Sequence, residues 1–147
     1  MPGRDDARPP TVLPERELLK LDRWSFVVLP GEGVGCDHIV IGTTGAFAVV
    51  FEGDSVPQGF LIPGIRRARK AARRLRGHVS ATGVQTDTVA ILCPRTSSVF
   101  APRTVRGVRI VPPVLLAKAI SERNRSAMPH QIQRAAESLT RSLAQFR

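Results

Sequence analysis

The residue types best suited to chemistry stand at the ends of two apolar runs. Asp37 heads the run His38-Ile39-Val40-Ile41, and Glu52 and Asp54 follow the run 46–51. Aspartate is depleted from strands, so Asp37 calls for a reason. One reason is local: a turn aspartate accepts hydrogen bonds from nearby backbone amides. The other is chemical: a carboxylate is a hard oxygen ligand for Mg²⁺, which takes one or two such groups beside water and phosphate. Glu52 and Asp54 share a face if their strand continues. They read either as solvated charges at a strand end or, for Glu52, as a second carboxylate facing Asp37 across neighbouring strands. Asp37 and Glu52 are thus the candidate catalytic and metal-ligating pair. His38 should point to the face opposite Asp37, where a structural role suffices.

A second group of residues could bind rather than react. Arg66, Arg67, Arg69, Lys70, Arg73, Arg74 and Arg76 fall within eleven positions that hold no acid. They account for seven of the ten excess positive charges of the chain. Seven like charges on one segment repel each other, and a guanidinium can hold a phosphate through two parallel hydrogen bonds. The block therefore points to an anionic partner, nucleic acid before membrane or acidic protein. The segment holds no Phe, Tyr or Trp, so it lacks the stacking platform of a single-strand binder and the aromatic anchors of a membrane-inserting helix.

Other chemistries find little footing. Gly31, Gly33 and Gly35 resemble a phosphate loop in spacing, but a strand follows where that loop needs a helix N-terminus. Ser97, Ser98 and the histidines form no nucleophile elbow. Cys36 and Cys93 have neither metal-ligand spacing nor a disulfide framework, and read as packed thiols in a reducing cytoplasm. No apolar run approaches the roughly 20 residues of a membrane span, and the first ten residues lack the apolar stretch of a secretory signal.

The elements that must position these groups can be read from periodicity. Residues 1–12 suit a disordered tail. A helix over 14–22 precedes strands at 24–29, 38–41 and 46–51, the last two joined by Gly42-Thr43-Thr44-Gly45 as a hairpin. The run 46–51 is apolar on both faces, as in a central strand. A loop spans 53–63, with a short edge strand at 60–62. Ile65, Ala68, Ala72, Leu75 and Val79 recur at helical spacing, which makes 64–79 a helix with arginines over its remaining surface. Strands at 88–93 and 105–111 and helices at 113–122 and 129–146 complete the chain. The order implies an α/β fold, a mixed central sheet flanked by helices. Residues 13–122 form the domain, and 123–147 an amphipathic C-terminal helix packed on it or extending it.

The segment Cys36-Asp37-His38-Ile39-Val40-Ile41-Gly42, followed by Thr44-Gly45-Ala46-Phe47-Ala48-Val49, resembles the nuclease-related domain, or NERD, of the restriction-endonuclease-like PD-(D/E)XK group. That family shows Ile-Asp-His, three apolar residues and Gly. It continues with Gly, an apolar residue, Phe and two more apolar residues, and then an acid, any residue and lysine. The looser likeness covers roughly 14–121, a preceding helix and strand and a following helix with two strands. The resemblance implies a restriction-endonuclease-like fold and places Asp37 at the first acidic ligand. The second acidic position falls on Val50 and the lysine position on Glu52; Glu15 or Glu17 matches an acid on the first helix. In the family the acids hold a divalent ion, which lowers the pKa of the attacking water and neutralises charge on the phosphate. A valine cannot hold an ion, so the resemblance implies a nuclease scaffold with a degenerate site, and the cationic block of 66–76 adds the expectation of a pseudo-nuclease that binds nucleic acid through its basic helix. An active Mg²⁺- or Mn²⁺-dependent DNA nuclease with a rearranged site, and a non-enzymatic module for an acidic protein or anionic membrane, are the alternatives.

Overall fold

The computed structural model describes residues 14–52, 62–95 and 101–144. The expected tail over 1–12, Asp54, residues 60 and 61 of the expected edge strand, Ser97, Ser98 and the end of the last helix lie outside them. Six strands form one mixed sheet in the order β1-β2-β3-β4-β6-β5, with helices on both faces.

Helix α1 spans Pro14–Leu18, with proline in the first turn and glutamates toward its positive end. It stops short of the expected residue 22. Asp22 starts a turn instead: its carboxylate accepts from the Trp24 amide at 3.2 Å and the Ser25 hydroxyl at 2.9 Å. That side-chain competition for the backbone delays the first strand, so β1 is Phe26–Pro30 and Trp24 remains exposed.

Strands β1, β2 (His38–Gly42) and β3 (Gly45–Glu52) form an antiparallel meander. The link between β2 and β3 tightens to a two-residue turn, Thr43-Thr44, closed by the pair Gly42↔Gly45. Gly42 lies directly against the Phe26 ring, where a Cβ would collide with it. The turn itself is buried: the Thr44 hydroxyl donates to the Ile120 carbonyl at 2.6 Å, and the Ser126 amide donates to the Thr43 carbonyl at 2.7 Å.

Helix α2 spans Ile62–Ala81 and returns the chain to β4 (Thr88–Pro94), parallel to β3. The helix starts at Ile62, which removes that residue from the edge strand expected there. Ile65, Ala68, Leu75 and Val79 are buried beneath it as the periodicity predicts; Ala71 joins them, and Ala72 is only half-buried. The expected strand over 105–111 is a hairpin, β5 (Arg103–Val105) and β6 (Val108–Ile110). Arg106 and Gly107 turn it with positive φ values of 51° and 81°, the left-handed pair that a two-residue hairpin turn requires. A 3₁₀ turn at Pro113–Leu115 leads into α3 (Leu116–Ser121), and α4 is Pro129–Ala144.

Strand alternation divides the core in two. Ala46, Ala48 and Val50 of β3 belong to the core that α2 and α4 cover, with Ile65, Leu75, Ile132 and Leu139. Phe47, Val49 and Phe51 belong to the core of the other face, with Leu18, Leu116 and Ile120. All of β3 before Glu52 is buried, as expected of a central strand covered on both sides. Helix α4 shares the core of α2. Among the described residues no helix is long and apolar enough to cross a membrane.

Candidate functional site

The backbone of Asp37 extends the β2–β3 ladder by one step, its amide donating to the Val49 carbonyl at 3.0 Å. Its side chain then stands in for the next carbonyl. Oδ2 accepts the Phe51 amide of β3 at 2.7 Å, a charge-assisted bond. Oδ1 lies 3.4 Å from Nη2 of Arg67, the sixth residue of α2, and Nε of the same guanidinium donates to the Gly35 carbonyl at 3.0 Å. One arginine thus ties the glycine turn, the start of β2 and the helix together. Gly35 has φ +93° there, a conformation open to glycine at little cost.

Continuing the β2–β3 register places Val50 across from Asp37. Val50 is fully buried, in the core under α2. Glu52 follows on the same face and is half-buried. Its carboxylate lies against Gly64, the third residue of α2, filling the space a Cβ there would need. A carboxylate over the first turn of a helix is favoured by the unpaired amides and the dipole at that end.

These positions decide whether Mg²⁺ fits. Both Asp37 oxygens already face hydrogen-bond donors, one of them a cation. Val50 offers no oxygen, and Glu52 is turned to the helix start. Among the described residues no three or more His, Cys, Asp or Glu side chains converge on a point. This donor set does not fit a divalent ion.

The acids of α1 lie on the other face. Glu15 Oε1 is 2.5 Å from Arg95 Nη2, and the Arg95 guanidinium sits 5.1 Å from the centroid of the Phe51 ring. His38 meets the same ring, centroids 5.4 Å apart. Glu17 is buried and paired with Lys20 at 2.5 Å. Asp37 belongs with Val50 on the α2 face, so Glu15, Glu17 and His38 are separated from it by the sheet.

The Arg95 hydrogen bond holds the Glu15 carboxyl below its ordinary value of 4.5, against a smaller opposing effect of burial. A depressed folded pKa stabilises the native state above the unfolded value, and that contribution disappears as pH falls through the folded one. We expect the stability difference between wild type and Glu15→Gln to be constant above about pH 5 and to shrink toward zero as pH falls below 4.5. Chemical denaturation at a series of pH values reads it; a difference that grew toward acid pH would reverse the assignment. Burial also raises both thiols, Cys36 to about 11 and Cys93 to about 12, so neither is a ready nucleophile.

All seven cations of α2 are exposed, but they do not form one array. At 100° per residue, Arg67 and Arg74 lie on the flank toward the Gly31–Gly35 turn, and Arg67 is committed to Asp37. Arg66 and Lys70 lie on the outer crest. Arg69, Arg73 and Arg76 lie on the opposite flank, toward β6 and β5. Apart from Arg67, none of the seven has a carboxylate within ion-pair distance among the described residues. Arg106 stands beside this second flank and was missed by the sequence reading. The signal for it is Arg-Gly between apolar runs, a hairpin pair inside the strand expected over 105–111.

Comparison with protein-family models, with curated proteins and with solved structures finds no match for this chain.

Proposed function

We propose that this chain is a nuclease-type scaffold, restriction-endonuclease-like in its element order, whose catalytic site is degenerate and whose function is to bind nucleic acid through α2. The observation that carries the reading is the surface of that helix. Six exposed cations with no carboxylate partner among the described residues stand on one element, a self-repelling arrangement that a polyanion relieves. The scaffold part is supported by the order of elements, a helix, a three-stranded meander, then a helix and a parallel strand. That is the order implied by the NERD resemblance. The degenerate part is supported by Val50 in the core and by Arg67 beside Asp37. Two buried free thiols suit a reducing cytoplasm.

Binding of a fluorescent duplex, measured by anisotropy between 50 and 300 mM salt, tests the reading. Phosphate contacts release counterions, so log K should fall linearly with log salt, with a slope of about −0.9 per contact. Six contacts would give a slope near −5. Flotation with anionic vesicles at the same salt gives the competing partner its chance. Flotation without duplex binding would replace nucleic acid by membrane, and a flat salt dependence would remove phosphate as the ligand.

A further inference from the structure

Beside α2 lies a groove of about 240 Å³, lined by Arg69, Arg73 and Arg76 of the helix, Arg106 and Gly107 of the β5–β6 turn, and Thr88 and Ala90 of β4 with Ala72. No carboxylate and no aromatic ring is among these residues. One wall is the helix flank and the other is the tip of the edge hairpin, so the groove exists only because the strand expected over 105–111 turns back on itself. We propose that this groove seats one strand of the sugar–phosphate backbone of a nucleic-acid duplex, with Arg106 gripping it from the side opposite α2. The inference rests on the nucleic-acid reading above and adds the second wall, the ligand form and a residue outside the helix.

The spacing suits that ligand. Arg69, Arg73 and Arg76 are four and three residues apart, a run of about 10 Å at 1.5 Å per residue. One strand of a duplex presents a phosphate about every 3.4 Å of axis, so the row spans about three phosphate steps. Guanidiniums on both walls can bracket that strand bidentately. Contacts of this kind fix position and carry no sequence information. The lining also argues for a duplex over a single strand, because single strands are held by bases stacked on aromatic side chains and this groove has none. Arg106 holds a left-handed backbone, φ 51°, at a turn where Asn or Gly would be easier.

The test is the salt slope of wild type, Arg106→Asn, Arg73→Gln and Arg109→Gln on one sequence offered as DNA duplex, RNA duplex and DNA single strand. Arg106→Asn removes the charge while making the Asn-Gly pair that the turn favours, so the hairpin is retained. Arg109 alternates with Ile110 and so faces the other side of the sheet; its loss is the charge-matched control. The expected result is that Arg106→Asn and Arg73→Gln each reduce the slope by about 0.9 on a duplex, with Arg109→Gln unchanged. The same shift on DNA or on RNA identifies which duplex is the ligand. A wild-type slope with Arg73→Gln altered and Arg106→Asn unaltered overturns the two-walled groove but leaves binding by α2 standing. Tighter binding of the single strand overturns the duplex assignment, and no binding by wild type overturns the parent reading and this one together.

Discussion

Val50→Asp, which writes an acid back into the position where the family resemblance expects one, unfolds the protein or lowers its stability by more than about 4 kcal/mol. Val50 is fully buried in the core beneath α2 and pairs in register with Leu92. Removing its methyl groups forfeits about 2 kcal/mol. Placing an unpaired carboxylate in the same apolar volume adds several kcal/mol more, since no neighbour is arranged to satisfy it. A domain of this size has about 5–15 kcal/mol in all. Thermal denaturation of wild type, Val50→Ala and Val50→Asp separates the two contributions: Val50→Ala costs about 2 kcal/mol, and the aspartate far more. If Val50→Asp matched the stability of wild type within about 1 kcal/mol, the position would be open to solvent or to an ion, against the packing described.

The second large effect is on binding. Replacing Arg69, Arg73 and Arg76 together by glutamine reduces the salt slope on a duplex by about 2.7, three contacts at about 0.9 each. At 0.1 M salt that corresponds to a roughly 10²- to 10³-fold loss of affinity, with little change when extrapolated to 1 M. The fold should survive, because all three side chains are exposed and such substitutions fall within about 0.5 kcal/mol. Arg67→Gln is the contrasting variant. Its guanidinium is engaged with Asp37 and the Gly35 carbonyl, so it should change the slope little and stability more. A triple variant with wild-type slope, or an Arg67→Gln slope as altered as the triple, would contradict the division of the helix into a structural flank and a binding flank.

Much of this was legible in the residues because the signals were periodic. The both-faced apolar run of β3 and the 3.6-residue repeat of α2 led directly to a central strand and the helix covering it. Two things were hidden by local chemistry. Asp22 drew the Trp24 amide into a turn and delayed β1, and Arg106-Gly107 broke a strand whose apolar pattern ran across them. The candidate site was legible in identity but not in partnership. Asp37 could be read as a turn acceptor or as a ligand, and only the positions of the Phe51 amide and Arg67 make the acceptor role concrete. Whether an arginine on a solvated face turns to a neighbouring loop depends on what the sheet carries beside it. Composition holds no trace of that, which is why the residues alone group Arg67 with the binding cations and pass over Arg106, although Arg67 meets Asp37 and Arg106 lines the groove beside α2.

The central claim is binding without cleavage, and one sample can read both. A labelled duplex is incubated with saturating wild-type protein in Mg²⁺ and, separately, in Mn²⁺. The bound fraction is isolated and its nucleic acid is run under denaturing conditions. The account predicts a salt-sensitive complex from which the strands are recovered at full length with either metal. Shortened strands that depend on the metal and vanish in Asp37→Ala would contradict it, and would mean that Asp37 can release Arg67 and the Phe51 amide to hold an ion.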